Sequence, residues 1–162
     1  MKELELATFG AGCFWGVEYL FRELAGVESA TCGYCGGKTR NPTYKEICTG
    51  QTGHAEVVQI NFDPAKISYD QILTYFFRLH DPTTLNRQGP DSGTQYRSVI
   101  FYHSEDQKNE ALAKIETLKK SGKFKKDIVT QVEPTTTFYL AEEYHQRYFE
   151  KNGGVSCHYL RD

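Results

Sequence analysis

The sequence predicts a single α/β domain of the α+β type: a two-layer fold with a mixed or antiparallel sheet and helices packed on it. The nearest simple architecture is a ferredoxin-like core with additions. Three observations lead there. Segments of strand and helix periodicity follow one another in the order β-α-β-β-α-β-α-β-α. Two of the strands are consecutive with no full helix between them, which an all-parallel sheet does not allow. A length of 162 residues suits one domain with one sizeable core.

The first strand runs from Glu5 to Gly10 and ends in glycines. A helix is expected to begin at or near Cys13, because Val17, Leu20, Phe21 and Leu24 fall at helical spacing on one face, and Gly26 is a natural stop. Val27 to Tyr34 reads as a strand closed by Gly36-Gly37. His54 to Phe62 reads as another, with Val58, Ile60 and Phe62 on one face. Ser68-Tyr69-Asp70-Gln71 has capping-box spacing and opens a helix to His80 lined by Ile72, Leu73, Phe76 and Phe77. Pro82 to Tyr96 is a long irregular stretch, and loops of that length in compact domains tend to be functional. A strand over Ser98 to His103 leads to a second capping box at Ser104-Glu105-Asp106-Gln107. The helix after it places Ala111, Leu112, Ile115 and Leu118 inward and ends at Gly122. A short strand over Ile128 to Glu133 and a last helix over Leu140 to Phe149 complete the domain. The whole range 1–162 is one unit, with a mobile, glycine-containing tail from about 151.

The composition is that of an ordinary globular protein, 25% charged and 39% hydrophobic. A net charge of -2 argues against a nucleic-acid or anionic-membrane surface, which calls for a basic face. Polar residues interrupt every apolar stretch before it could span a bilayer. Met1-Lys2-Glu3-Leu4-Glu5 is not an apolar signal segment, so a cytoplasmic location is expected. In a reducing compartment the five cysteines, Cys13, Cys32, Cys35, Cys48 and Cys157, point to catalytic, metal-binding or incidental thiols rather than a disulfide scaffold. The only methionine is Met1, which suits a protein working among oxidants, although methionine is rare in any case.

A strand ending in Gly10-Ala11-Gly12 and running into a helix puts Cys13 at the helix N-terminus. Unpaired amides and the macrodipole there favour a thiolate, the nucleophilic form. An inert buried cysteine is the alternative. Phe14 and Trp15 sit about 100° and 200° from Cys13 around the helix, so they cannot both join the Val17 stripe. Either Phe14 is ordinary core and Trp15 half exposed, or they wall an apolar pocket beside the thiol. Glu56, opposite in phase to Val57, is either a solvated strand carboxylate or a buried acid with a raised pKa. Cys157, behind Gly153-Gly154, is either an incidental thiol or a mobile one that meets an oxidised partner. Cys32-x-x-Cys35 is a weak metal signal without a second pair, and on a straight strand its two side chains point to opposite faces.

Gly12-Cys13-Phe14-Trp15-Gly16 resembles the signature of the peptide-methionine (S)-S-oxide reductases. So do Gly33-Tyr34 with Gly36-Gly37, Asn41-Pro42-Thr43-Tyr44, Gly53-His54-Ala55-Glu56-Val57-Val58, and His80-Asp81-Pro82-Thr83. Asn86-Arg87-Gln88-Gly89, Asp91, Gly93-Thr94-Gln95-Tyr96-Arg97-Ser98, Ala141-Glu142 and His145-Gln146 are similar too, in order along nearly the whole chain. The resemblance implies Cys13 as nucleophile, and Phe14 and Trp15 as a cage for the substrate methyl group. It implies Glu56 as the acid that protonates the sulfoxide oxygen, helped by the hydroxyls of Tyr44 and Tyr96, with Asp91 in the same polar site. It also implies Cys157 as the resolving thiol, thioredoxin as reductant, and the S epimer of free or protein-bound methionine sulfoxide as substrate. No metal or organic cofactor is implied, and a monomer is expected. Cys32 and Cys35 depart from the family pattern and leave open a second redox pair. Two other classes remain in view. A cysteine hydrolase would need a histidine base such as His54 or His145. A thiol switch or metal module would rest on Cys32, Cys35 and Cys48.

Overall fold

The structure, a computed structural model, describes residues 3–153 and 158–161. In chain order the elements are β1 (Glu5–Ala11), α1 (Phe14–Arg22), β2 (Val27–Cys35), the one-turn α2 (Tyr44–Ile47), β3 (Ala55–Phe62), α3 (Tyr69–Leu79), β4 (Arg87–Gln88), β5 (Asp91–Ser92), β6 (Ser98–Tyr102), α4 (Glu105–Ser121), β7 (Gln131–Pro134), β8 (Tyr139–Leu140) and α5 (Tyr148–Asn152). Short 3-10 turns occupy Thr94–Tyr96 and Glu143–His145.

The main sheet has six strands in the order β7-β6-β1-β3-β2-β8. Its four central strands are antiparallel neighbours, and with α1 and α3 they form the βαββαβ pattern of a ferredoxin-like core. Additions flank it. β7 lies parallel to β6 after the α4 crossover, and β8 pairs antiparallel with β2 at the other edge. The sheet is therefore mixed, as expected.

One face of the sheet carries the main core. Ala7 and Phe9 of β1 and Val58, Ile60 and Phe62 of β3 pack against Phe21 of α1 and Ile72, Leu73 and Phe76 of α3. Phe9 is fully buried with the rings of Phe21 and Phe76 at 5.5 and 4.9 Å. The opposite face holds a smaller cluster of Cys35, Ala55, Val57, Val99 and Phe101. Both sequences start helices where their spacing indicates, but only the first closes a full capping box. Ser68 accepts from the Gln71 amide and Gln71 from the Ser68 amide, while Ser104 accepts from the Gln107 amide and the Gln107 side chain accepts from the His103 amide instead. Gly122 closes α4 in the left-handed conformation that favours glycine.

Three expectations are corrected. The last helix does not run from Leu140 to Phe149. Leu140 pairs with Gly33 in β8, the Ala141 amide donates to the Cys32 carbonyl, and Arg147 takes a left-handed φ of 53°. The Gln146 side chain accepts from the Cys32 amide and donates to the Cys32 and Ala141 carbonyls. Long-range hydrogen bonds to β2 override local helix preference and leave only α5 helical. The strand expected over Ile128 to Glu133 is shifted to Gln131–Pro134, where β6 is in register for it. Leu112 faces out, 47% exposed, because α4 buries only the narrow face of Gln107, Ala111 and Ile115. The irregular stretch after Pro82 folds into the β4–β5 hairpin and the 3-10 turn that carries Tyr96.

Candidate active site

β1 ends beside β3 and delivers the chain into α1 through Gly12 and Cys13. Gly12 has φ +96°, and a Cβ there would lie 2.7 Å from Cβ of Gln88. Gln88 cannot step aside easily, because its amide group accepts from the Asp81 amide and donates to the Asp81 carbonyl. Glycine at position 12 therefore fixes how α1 starts. Cys13 is the N-cap residue of α1 and is half-buried. Its side chain makes no capping bond. The first helical amide, that of Phe14, instead donates to Oε1 of Glu56 at 3.2 Å.

Glu56 sits on the helix-covered face of β3, in phase with Val58 and Ile60, and is 1% exposed. Among the described residues Oε2 has no hydrogen-bond partner. Burial pushes the carboxyl up to about 8; the Phe14 amide works against this, and the charge of Asp91 adds to it. Glu56 is thus a neutral acid at pH 7. Oε1 is occupied as an acceptor, so the proton belongs on Oε2. Of the two possibilities open from the pattern, the buried acid is the one found.

Tyr44 on α2 and Tyr96 in the 3-10 turn both lie close enough to Glu56 to be raised by its charge once it ionises, and Tyr96 also by those of Asp91 and Cys13. Burial raises both phenols first and these charges raise them further. They are hydrogen-bond donors at any physiological pH. Residues from the start of α1, α2, β3, β5 and the 3-10 turn are so brought to one place. Phe14 is 1% exposed and packs against Tyr34, Tyr44 and His145. Trp15 is half-buried, lies flat on Tyr148 at 3.7 Å, and donates its Nε1–H to Nδ1 of His145 at 2.9 Å. Phe14 has the burial of a core residue and Trp15 keeps partial exposure, yet both belong to one aromatic wall beside Cys13.

His145 enters this wall from the segment mistaken for helix, which is why its place here could not be read from spacing. It is fully buried, and burial lowers its pKa, so the ring is neutral. Nδ1 accepts from Trp15, so the proton is on Nε2, which has no partner among the described residues. A ring in this tautomer has no free lone pair with which to act as a base. His54 is committed as well: Nδ1 accepts from the Gly37 amide and Nε2 bonds the Thr39 carbonyl. Neither histidine is available to a cysteine hydrolase.

Cys32 and Cys35 lie on opposite faces of the sheet, in the two separate clusters, and can share neither a disulfide nor a metal ion. Cys32 is wholly buried, its thiol is pushed well up by burial and by Glu18, and it donates weakly to the Phe14 carbonyl and to Glu18. A thiol so held is unreactive. Cys157 lies outside the described residues. The next residue, His158, is buried and bonds the Ala11 carbonyl through Nε2 at 2.7 Å. The Arg161 amide donates to the Arg78 carbonyl of α3.

A cysteine at a helix N-terminus, with a buried carboxylic acid on the adjoining amide and two phenols nearby, has the parts with which a thiol enzyme can pair attack with proton delivery. The chain belongs to the peptide methionine sulfoxide reductase family, whose model matches residues 5–162. It is 60% identical over 156 residues to a peptide methionine sulfoxide reductase MsrA of Methanoculleus marisnigri, covering 96% of this chain and 95% of that one. It is 62% identical over 152 residues to the MsrA of Acidobacterium capsulatum, covering 94% and 97%. Among solved structures, reduced Mxr1 of Saccharomyces cerevisiae matches with a TM-score of 0.91 at 42% identity, over 99% of this chain and 93% of that one. Mxr1 in complex with Trx2 matches at 0.67 and 30%, over 99% and 91%.

Proposed function

We propose that this protein reduces the S epimer of methionine sulfoxide, free or protein-bound, and is recycled by thioredoxin. The observation that carries this is the Glu56–Phe14 bond, which fixes a neutral acid against the residue following Cys13. Sulfoxide sulfur is electrophilic, but oxide is a poor leaving group. The Cys13 thiolate attacks sulfur while Glu56 gives its Oε2 proton to oxygen, with Tyr44 and Tyr96 donating hydrogen bonds as charge develops there. Phe14 and Trp15 receive the methyl group, and Asp91 helps keep Glu56 protonated. The oxygen passes to Cys13, methionine leaves, and a sulfenic acid remains. The thiol of Cys157 condenses with it, releasing water and forming a disulfide that thioredoxin reduces by exchange. His158, the next residue in the chain, bonds the carbonyl of Ala11, two residues before Cys13, and this supports Cys157 as that partner. The relative solved with Trx2 supports the choice of reductant.

This reading extends to a monomer in the cytoplasm. Among the described residues no helix is long and apolar enough to cross a membrane. The test is a reaction with methionine sulfoxide and no reductant. The expected outcome is about one methionine per chain, in keeping with single use of the nucleophile, together with a disulfide joining Cys13 and Cys157. Cys13→Ser should give no methionine. An acyl adduct from an ester, with no methionine formed from sulfoxide, would contradict the proposal.

A further inference from the structure

Glu142, between β8 and the 3-10 turn, faces two partners far away in sequence. Its Oε1 accepts from the Tyr34 hydroxyl at 2.8 Å, and its Oε2 accepts from the backbone amide of Tyr44 at 2.9 Å. Tyr34 is wholly buried and stands opposite Glu56 in the β2–β3 register. Tyr44 is the first residue of α2. One carboxylate therefore ties the strand beside the acid to the helix that carries a phenol of the site.

α2 is a single turn of four residues, too short to hold its own shape or place by helical cooperativity. Its capping box between Thr43 and Glu46 fixes the turn internally, and Ile47 anchors the far end in the core. The near end is held by Glu142, whose negative charge also suits a helix N-terminus. Burial pushes the Glu142 carboxyl up, but the hydrogen bonds from Tyr44 and Tyr34 outweigh it and hold the group below the usual carboxylate range. It is ionised at neutral pH and accepts with both oxygens.

We infer that Glu142 is a positioning residue for the reductase step, acting through Tyr44 by fixing the start of α2 so that the phenol stands at the site of Glu56. This rests on the reading of Tyr44 as a proton donor to the sulfoxide oxygen. Displacement by about 1 Å is enough to cost a reaction a large factor in rate.

A double-mutant cycle in single turnover, at saturating sulfoxide and without reductant, tests it. Tyr44→Phe and Glu142→Ala should each slow methionine formation, by roughly tenfold, with little change in the sulfoxide concentration for half-saturation. The double variant should be no slower than the slower single one. Glu142→Gln should keep most of the rate, since its carboxamide oxygen can accept from the Tyr44 amide while its nitrogen donates to the Tyr34 oxygen. Glu142→Ala leaves the Tyr34 hydroxyl buried and unpaired, which itself threatens folding. Tyr34→Phe/Glu142→Ala removes that hydroxyl and should still be slow. Losses that multiply in the double variant would overturn the inference, as would full speed in both Glu142→Ala and Tyr34→Phe/Glu142→Ala. Full speed in Glu142→Ala beside a slow Tyr44→Phe removes Glu142 alone. Full speed in Tyr44→Phe removes the role of Tyr44, and with it a role for Glu142 through that phenol.

Discussion

At the scale of residues, the proposed chemistry asks for opposite charge states on two neighbouring groups. A helix N-terminus favours charge on Cys13, while burial denies it to Glu56. The Phe14 amide is where the two meet, because this first helical amide donates to Glu56. Cys32 shows what burial alone does to a thiol: with Glu18 and backbone carbonyls around it, it is kept protonated and inert. A separate prediction concerns the resolving thiol. Cys157→Ser should still form about one equivalent of methionine but leave a sulfenic acid that a carbon acid such as dimedone traps, and thioredoxin-dependent turnover should stop. Unchanged recycling in that variant would remove Cys157 from the mechanism. Glu56 was not settled by its pattern. It stands in phase with Val58, Ile60 and Phe62, but a carboxylate on a strand reads as readily as a solvated one, and only the assembled sheet and α1 bury it.

At the scale of elements, the start of α1 has the least freedom. Gly12 combines a left-handed φ with an approach to Gln88 that leaves no room for a methyl group. Gly12→Ala should destabilise the fold by about 1–3 kcal/mol and slow the reductase step, since any relief moves Cys13. A urea midpoint and a single-turnover rate both equal to wild type would contradict this. The βαββαβ core was legible because its strands and helices carry strong periods and α3 opens on a capping box. α2 was equally signalled by Thr43-Tyr44-Lys45-Glu46, which has capping-box spacing, but its single turn leaves no periodicity to detect. The segment from Leu140 to Phe149 could not have been read correctly. Its aromatic residues fit a helix, and the bonds that prevent one come from Cys32, Glu18 and Gly33. For the same reason His145 and Glu142 were present in the family motifs without an assignable place.

At the scale of the whole molecule, the sheet order gathers a site from residues spread between Cys13 and His145, so the site exists only when the sheet does. Phe9 is at the centre of the packing that holds β1 to α1 and α3. Phe9→Ala should cost about 3–5 kcal/mol, a large part of the stability of an ordinary domain, seen as a lowered urea midpoint; a midpoint unchanged from wild type would contradict that. Glu56 imposes a cost of a different kind. Its folded pKa is raised, so between its ordinary 4.5 and about 8 the folded state holds a proton that the unfolded state has released. Stability therefore falls as pH rises through that window. Glu56→Gln should escape the fall, matching wild type near the bottom of the window and exceeding it near the top. Urea midpoints that stay parallel across the window would contradict a buried neutral Glu56.

In the proposed mechanism the same proton decides the chemistry, and the most direct measurement is the pH dependence of methionine formation in a single turnover without reductant. With Glu56 as the acid, the rate should fall above about pH 8 as the carboxyl ionises. In Glu56→Gln the rate should drop by about 10²–10⁴ and lose that limb. A wild-type rate that stays level through pH 8, together with a Glu56→Gln variant that reacts at wild-type speed, would contradict the role of Glu56 beside Cys13.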